Sequence, residues 1–329
     1  MRALLLLLLL LLLAACTSST PRPSEPLSGR SERAGLPPRM EYDADSLPES
    51  LVVVGQQLVW VDSVGSLYAM PIDKSRPARA LYKSDAHGTK RALISIGRDE
   101  VIAGGIPDLV RARLPAGSTQ RFHIQKLDQI TGDLVADDRF VYFTVFQADD
   151  IWRVPLAGGR PTKFHAGSQR PSLALHAGTL YAAGLDGTLV ALPTAGGPPT
   201  QLATNTGQRG ALVVDDTHLF IANDHPEGGN EPRPETIDRI ELATRARTTI
   251  ATFRSIDDLH LEGDWLYAVV TTGKTENTTV GQVVRMARDG SRQRVLLDRI
   301  ETYGTFAFDA DALYATSGST IIRLARTSF

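Results

Sequence analysis

The apolar positions of the chain follow one pattern that returns seven times. Each copy starts at an apolar residue, passes a turn-prone Asp or Gly in most cases, and reaches a bulky residue eight positions further on. The copies begin at Val52, Ile94, Leu134, Leu173, Leu212, Leu259 and Phe306. They end at Trp60, Ile102, Tyr142, Tyr181, Phe220, Tyr267 and Tyr314. A pattern that recurs about every 40 residues predicts a repeat architecture.

Within each copy, short apolar runs alternate with turns, which is typical of β-strands. The fourth copy shows this most clearly, with predicted strands at 173–177, 179–183, 188–194 and 199–203. No helical periodicity accompanies these runs. Four-stranded units repeated radially form a β-propeller, whose blades pack face to face. We therefore predict an all-β fold with seven four-stranded antiparallel blades, and six blades as the alternative.

The seventh copy lacks a fourth strand, since its apolar runs lie at 306–310, 312–316 and 320–326. Residues 40–43 precede the first copy and belong to no unit, so we predict that they supply this strand and latch the ring. The alternatives are an open edge, or six blades and a degenerate unit. The second copy is the weakest, because Ile102 replaces an aromatic residue and Gly104 and Gly105 interrupt it.

Two segments share a strand–turn–strand motif, IWRVPLAGGRP at 151–161 and LVALPTAGGPP at 189–199, and residues 286–290 form a looser copy. This motif resembles that of TolB-like propellers in secreted bacterial proteins, which are WD40-like in architecture. The resemblance covers about residues 52–326 and implies the fold rather than a function. The Gly-His and Trp-Asp signature of WD40 repeats themselves is missing.

The N-terminus carries an export signal. One arginine precedes ten leucines, Leu4 to Leu13, and this run is short for a permanent membrane span, which needs about 20 residues. Leu-Ala-Ala then leads into Cys16, the only cysteine, in the manner of a bacterial lipobox. We predict a signal peptide at 1–15, a lipidated Cys16, a Pro- and Ser-rich tether at 16–40, and one propeller domain at 41–329.

Composition narrows the classes of partner. Acidic and basic residues nearly balance at a net charge of −2, so the basic field that nucleic-acid binding needs is missing. We predict no nucleic-acid partner, no cofactor and a monomeric domain. The lipid anchor places it on a membrane of the bacterial envelope. Thr17 follows the cysteine rather than an aspartate, which favours the outer membrane, facing the periplasm or the surface.

The mouth of the central channel is the first candidate site. The register of the repeat places six residues three positions before the innermost strands: Arg91, Thr131, Arg170, Arg209, Ile256 and Tyr303. Three of these are arginines, whose planar fork suits carboxylate or phosphate groups. A second interpretation is that the arginines pair with Asp133, Asp257 and Asp258 and tie adjacent blades.

The two longest copies give a second candidate. Their extra residues, Asn223 to Glu235 and Thr271 to Gly281, fall between the second and third strands of neighbouring units. Both insertions should therefore rise side by side from one face, where per-repeat insertions often bind partners. Harmless loop variation is the alternative. The full set of candidate binding residues is Arg91, Arg170, Arg209, Tyr303, Asp257, Asp258, His225, Glu227 and Lys274.

Catalytic motifs are not found in the sequence. None of the seven histidines stands at a metal-binding spacing, and no nucleophile elbow or Asp-rich calcium loop occurs. His176 and His218 fall in turns away from the mouth, and His260 is predicted to be buried or to face the channel. We expect a lipid-anchored, non-catalytic module that binds an envelope protein or polymer. The alternative is a lyase or hydrolase acting on an anionic saccharide or peptide at the channel mouth.

Overall fold

Each copy of the sequence pattern forms one four-stranded antiparallel sheet, and the seven sheets form the blades of a ring. The computed structural model of the protein describes residues 40–44, 46–84, 92–104, 108–123, 133–145, 149–167, 171–207, 210–223, 234–275, 278–301 and 305–329. Within these residues the only helical element is the short 3-10 helix Arg326–Ser328. The prediction of a seven-bladed β-propeller is confirmed.

The strands are numbered along the chain, and each blade is built from its innermost strand outwards. Blade one comprises β2 (Pro48–Val54), β3 (Gln57–Asp62), β4 (Leu67–Pro71) and β5 (Arg79–Tyr82). Blade two comprises β6 (Leu93–Ile96), β7 (Glu100–Gly104), β8 (Asp108–Arg113) and β9 (Ser118–His123). Blade three comprises β10 (Leu134–Ala136), β11 (Phe140–Thr144), β12 (Asp150–Pro155) and β13 (Thr162–Ala166).

The remaining blades follow the same order. Blade four comprises β14 (Ser172–His176), β15 (Thr179–Ala183), β16 (Leu189–Pro193) and β17 (Thr200–Ala203). Blade five comprises β18 (Leu212–Val214), β19 (His218–Asn223), β20 (Glu235–Glu241) and β21 (Arg247–Phe253). Blade six comprises β22 (Ser255–Glu262), β23 (Trp265–Lys274), β24 (Thr279–Ala287) and β25 (Arg294–Glu301). Blade seven comprises β26 (Phe306–Phe308), β27 (Ala312–Ser317), β28 (Thr320–Ala325) and β1 (Met40–Asp43).

The first strand of the chain closes the ring, as predicted. β1 pairs with β28 in the register Met40 to Arg323 and Asp43 to Thr320. Tyr42 is 1% exposed and packs in a core cluster that joins blade seven to blade one. Its hydroxyl donates a hydrogen bond of 3.0 Å to the carbonyl oxygen of Ile72 in blade one. The N-terminal strand therefore completes one blade and fastens it to the next.

The strand directions define two faces. On the upper face, the innermost strands begin and the second strand of each blade turns into the third. On the lower face, the first strand turns into the second and the third into the fourth. Both insertions predicted from the sequence belong to the upper face. Because Asp43 lies opposite Thr320, at the upper end of β28, the chain enters β1 from the lower side.

Tight turns of the lower face are held by aspartates at equivalent positions. Asp137 accepts hydrogen bonds from the backbone of Phe140 at 2.6 Å and from the hydroxyl of Tyr142 at 3.0 Å. Asp309 does the same for Ala312 and Tyr314, at 2.7 Å each. Burial and the nearby Asp137 carboxylate raise the pKa of Tyr142 to about 12. In blades three and seven, the tyrosine that marks the repeat thus anchors a turn as well as a core.

Blade two, the weakest repeat in sequence, is reinforced by an ion-pair cluster. Glu100 is 6% exposed and accepts hydrogen bonds from Arg111 Nε at 2.9 Å and Arg113 Nε at 2.7 Å. Burial raises the pKa of Glu100, but the two guanidinium groups outweigh it and lower that pKa overall. Arg111 also donates to the carbonyl oxygen of Leu156 in blade three at 2.8 Å, so the cluster ties two blades.

Candidate functional site

The upper face between blades five and seven holds the part of the predicted site that the structure describes. Asp257, Asp258 and Lys274 lie there, in strands β22 and β23. The other predicted residues lie outside the described residues: Arg91, Arg170, Arg209, Tyr303, His225 and Glu227. Cys16 of the predicted lipobox also lies outside them. The anion-binding mouth formed by the three arginines stays a prediction.

Innermost strand β22 begins earlier than the sequence pattern indicated. It starts at Ser255, so Ile256 is a strand residue rather than one three positions before the strand, and that prediction was wrong. The cause is a bulge, since Ile256 pairs with Val270 and Asp258 pairs with Val269 while Asp257 is left over. An extra residue in one strand shifts the apolar alternation by one position, which hid the start of the strand.

The two aspartates beside this bulge make short contacts to threonines. The Thr271 hydroxyl donates to Asp257 Oδ2 at 3.1 Å within blade six, and the Thr305 hydroxyl donates to Asp258 Oδ2 at 3.2 Å from blade seven. Asp133 plays a similar part in blade three, because its Oδ2 accepts a hydrogen bond of 2.8 Å from the backbone N–H of Leu173 in blade four. Asp133 and Asp258 therefore tie adjacent blades.

Glu235 is a residue at this face that the candidate set did not include. It is the first residue of β20, and its two carboxylate oxygens accept hydrogen bonds from the Ser255 hydroxyl at 2.9 Å and the Ile256 N–H at 2.6 Å. It thus fixes the start of blade six from blade five. Its place at the end of the first insertion, directly before a strand, was the signal available in the sequence.

The second insertion is not a loop. Residues 271–274 and 279–281 extend strands β23 and β24, and their pairing continues to Lys274 opposite Thr279. The tip is closed by a hydrogen bond of 2.8 Å from Thr275 N–H to the carbonyl oxygen of Thr278. The alternation of threonine and glycine there, with one lysine, did not show the apolar pattern that marks a strand. The insertion forms a polar β-hairpin that rises from the upper face.

The first insertion begins at a buried polar residue, Asn223, which contacts the buried Asp238 of β20. Asn223 is 0% exposed and Asp238 is 2% exposed. Asn223 Nδ2 donates to Asp238 Oδ2 at 2.7 Å, and Asn223 Oδ1 has no hydrogen-bond partner. Arg247 Nε donates to the same Asp238 oxygen at 2.5 Å, and Thr249 donates to the other oxygen at 2.6 Å. Residues 224–233 of this insertion lie outside the described residues.

Three of the histidines, His176, His218 and His260, lie away from this face. His176 Nε2 is 2.7 Å from Asp216 Oδ1 in the next blade, and His218 begins β19 on the lower face. His260 lies between blades six and seven, with its ring stacked on Phe308 at 4.5 Å and edge-on to Phe306 at 5.8 Å. The His260 side chain is partly buried against blade seven. This position agrees with the expectation that His260 is buried.

The pKa of His260 predicts a pH dependence of stability. Burial between the blades lowers the pKa of its imidazole below the usual 6.5. The unfolded chain therefore binds a proton more readily than the folded chain, and this contribution to stability is lost as the pH falls below about 6.5. We expect His260→Phe to reduce the loss of unfolding free energy between pH 7.5 and pH 5, measured by urea denaturation.

The control for this pH experiment is His176→Gln, on the lower surface. His165 also has a pKa lowered by burial, so a residual pH dependence should remain in the His260→Phe protein. If the unfolding free energies of wild type and His260→Phe differed by the same amount at pH 7.5 and at pH 5, the prediction would be contradicted.

The described residues hold no group of three or more His, Cys, Asp or Glu side chains that could bind a metal ion. Within the same part of the chain, no helix is both long enough and apolar enough to span a membrane. The carboxylates named above serve as hydrogen-bond acceptors between blades. The described part of the upper face is thus a polar surface with a projecting hairpin.

Comparison with known proteins supports the fold and gives no information about function. No protein-family model matches the chain. No curated protein matches it either. A solved structure of a computationally designed protein, the Ika8 protein, is similar with a TM-score of 0.59 and 13% sequence identity over 85% of this chain and 96% of the designed one. At this identity the likeness supports a propeller and carries no function.

Proposed function

We propose that the protein is a lipid-anchored propeller of the bacterial envelope that binds another protein or an envelope polymer through its upper face. The fold is consistent with a binding or interaction module, and it is equally compatible with an enzyme. The observation that favours binding is the β23–β24 hairpin. It projects from the same face as the end of β19 and the start of β20 in the neighbouring blade, and a projection on a rigid ring is a common arrangement for recognition surfaces.

The chemistry of the hairpin indicates a polar partner. Its described tip carries Lys274 and four nearby threonines, and the tip residues Lys274 and Thr275 are exposed. Gly273 and Lys274 extend beyond Thr271, where pairing of β23 with β22 ends, so within the described residues this end of β23 has no strand partner on that side. An open edge of this kind can pair with an extended peptide, and threonines can donate to a saccharide.

The anchor proposed here depends on Cys16 and on the TolB-like resemblance of the repeats. The Leu-Ala-Ala-Cys sequence supports lipidation, and the tether would let the domain stand off the membrane. Several acyl chains would hold it there stably. Outer-membrane placement, facing the periplasm or the surface, is part of the same proposal.

One set of variants tests both parts in the producing bacterium. Cys16→Ser should lose incorporation of a labelled fatty acid and should move from the membrane fraction to the soluble fraction. Replacing residues 273–279 with Asn-Gly should leave lipidation unchanged and should abolish crosslinking to the partner that the intact hairpin captures. Asn-Gly is suitable because it closes two-residue hairpins without strain.

The control for the hairpin is Arg245→Gly, in an exposed turn of the lower face with a positive φ of 62°. A chain whose Cys16→Ser form is still labelled has no lipobox at this position. A partner retained by the shortened hairpin and lost from Arg245→Gly would place the binding surface on the lower face instead.

A further inference from the structure

Five blades carry an arginine at the same place in their third strand. Each lies opposite the bulky residue that marks the repeat: Arg111, Arg153, Arg239, Arg285 and Arg323. In blades two and three its role is structural. Arg111 pairs with Glu100, and Arg153 lies over the ring of Phe140, with 4.5 Å from Cζ to the ring centroid. An arginine at this place is thus part of the ordinary packing of a blade.

Blade six departs from the others on the outer side of this arginine. The outer-strand neighbours of the five arginines are, in blade order, Gln120, Thr162, Thr248, Arg294 and Met40. In blade six, therefore, Arg285 lies directly opposite Arg294. Like charges directly opposite each other on one face of a sheet are destabilising. Packing of the blade does not require this pair, since the other four blades do without it.

A third guanidinium group joins this pair at Trp265. Arg285 Cζ lies 4.1 Å from the centroid of the Trp265 ring, and Arg292 Cζ lies 4.6 Å from it. The two groups are thus held by one aromatic ring, which fixes their positions. Arg292 holds this position with a φ of 53°, a left-handed conformation that is unfavourable for a residue with a Cβ. The lower corner of blade six, formed by Trp265, Arg285, Arg292 and Arg294, is called the arginine corner below.

The three charges of the arginine corner are not neutralised by ion pairs within the described residues. Two other carboxylates pair with other arginines: Asp215 pairs with Arg288, and Glu262 pairs with Arg326 through Oε1, while Glu262 Oε2 is buried without a hydrogen-bond partner within the described residues. Arg294 donates a long hydrogen bond of 3.5 Å to the carbonyl oxygen of Ser328. Asp289 interacts electrostatically with Arg292, although the hydrogen bonds from Ser291 to Asp289 Oδ1 are the larger cause of the lowered pKa of Asp289.

Arg285 keeps an unused donor. Its Nε is buried and has no hydrogen-bond partner within the described residues, which is equally true of Arg153 Nε in blade three, and the Arg285 side chain hydrogen-bonds to the Tyr267 hydroxyl and acts to lower the pKa of Tyr267. Burial remains the larger effect and raises the pKa of Tyr267 overall, so its hydroxyl is neutral at physiological pH and leaves the arginine charge in place. A buried donor without an acceptor is costly. Because Arg153 shares this feature, what distinguishes blade six is the pairing of Arg285 with Arg294 and the third guanidinium group of Arg292.

We propose that the arginine corner is an oxyanion-binding site that takes a phosphate group. Phosphate carries a charge of about −2 at neutral pH, which offsets most of the charge of three guanidinium groups, and its oxygens match the paired donors of arginine. A single carboxylate offers less charge and fewer acceptors. The site lies on the lower face, opposite the hairpin, and next to blade seven, where the chain enters β1 from the lower side. It is therefore independent of the proposed upper-face partner.

The phosphate could belong to a small molecule or to a lipid headgroup. The position of the corner fits a headgroup if the proposed anchor at Cys16 holds the domain near a membrane, because the tether joins β1 from the same side. Free phosphate requires no anchor. The two sources share one chemistry, and the experiment separates them.

The test uses the full chain carrying Cys16→Ser, so that a lipid anchor does not itself bring the protein to vesicles. Inorganic phosphate and pyrophosphate are titrated by calorimetry. Vesicles of phosphatidylglycerol are compared with vesicles of phosphatidylcholine by co-sedimentation. The key variant is Arg292→Asn with Arg294→Gln, because both residues are exposed and Asn tolerates a left-handed φ. The matched control is Arg245→Asn, which is also exposed, also at positive φ, and in a turn of the same face.

We expect the parent to bind pyrophosphate or phosphatidylglycerol vesicles, the double variant to bind at least tenfold more weakly, and the control to bind normally. Binding of phosphates alone identifies a soluble ligand, and vesicle binding that pyrophosphate competes away identifies a headgroup. No binding of either probe would overturn the proposal. Equal weakening by Arg245→Asn would also overturn it, since it would show a diffuse attraction. Unchanged thermal melting of each variant shows that the ring is intact.

Discussion

Tyr42→Ala is expected to lower the free energy of unfolding by about 3–5 kcal/mol, as removal of a large buried aromatic side chain does. Tyr42 is 1% exposed and fills the core between blades seven and one. Within the described residues its strand pairs with β28 alone, and its side chain belongs to a core that also joins Leu51 and Trp60 of blade one to Ala307 and Tyr314 of blade seven. Urea denaturation of the purified domain, followed by fluorescence, measures the change.

Tyr42→Phe is the matched control for this latch. It removes only the hydroxyl that donates to Ile72, so we expect a loss of about 1 kcal/mol. If Tyr42→Ala cost no more than Tyr42→Phe, the latch would contribute little and the ring would be held by its other blades. A broader, less cooperative unfolding transition in Tyr42→Ala than in Tyr42→Phe would show that blade seven unfolds before the rest of the ring.

Asp238→Asn is expected to destabilise the protein by about 3–5 kcal/mol, because it removes a buried charge on which several donors converge. Asp238 accepts hydrogen bonds from Asn223, Arg247 and Thr249. Arg247 also donates to the carbonyl oxygen of Asn205 in blade four at 2.9 Å, so the cluster joins two blades. Without the carboxylate, the Arg247 charge would stay partly buried and uncompensated. Chemical denaturation at pH 7 measures the loss.

Two further variants test whether the loss of stability comes from the Asp238 carboxylate and its pairing with Arg247. Asp298→Asn removes an exposed carboxylate that accepts a hydrogen bond from Gln282, and it should change the unfolding free energy by less than about 0.5 kcal/mol. In a double-mutant cycle, Arg247→Gln should cost much less when Asp238 is already Asn. Additive losses would mean that the two side chains are not coupled and that the effect of Asp238→Asn has another origin.

The candidate site was only partly accessible from the sequence. The face on which the insertions rise follows from strand order, and the sequence assigned both of them to the connection between second and third strands. The conformation of residues 271–281 did not follow, because threonine, glycine and lysine carry no apolar alternation. The start of β22 did not follow from the sequence either, because the bulge at Asp257 shifts the apolar alternation by one position. All nine candidate binding residues stay predictions as to binding, and six of them also lie outside the described residues.

The arginine corner could not have been found from the sequence. Arg285, Arg292 and Arg294 are close in number, but the sequence indicates neither that Arg285 faces Arg294 across two strands nor that Trp265 lies beside them. Those facts depend on the register of β24 with β25 and on the side of the sheet to which each residue points. Likewise, Asp238 and Arg247 are unremarkable charges until pairing buries them together.

The sequence by itself determined the repeat, the strand order within each blade, the blade number and the closing strand at 40–43. It could do so because apolar periodicity reports directly which residues must leave water, and a unit with two apolar faces must stack on neighbours. Only the tertiary structure decided which polar groups meet. Hydrogen bonds and ion pairs such as Asp258 with Thr305 join residues far apart in the chain, and they depend on register, bulges and blade contact. Local sequence carries no record of these.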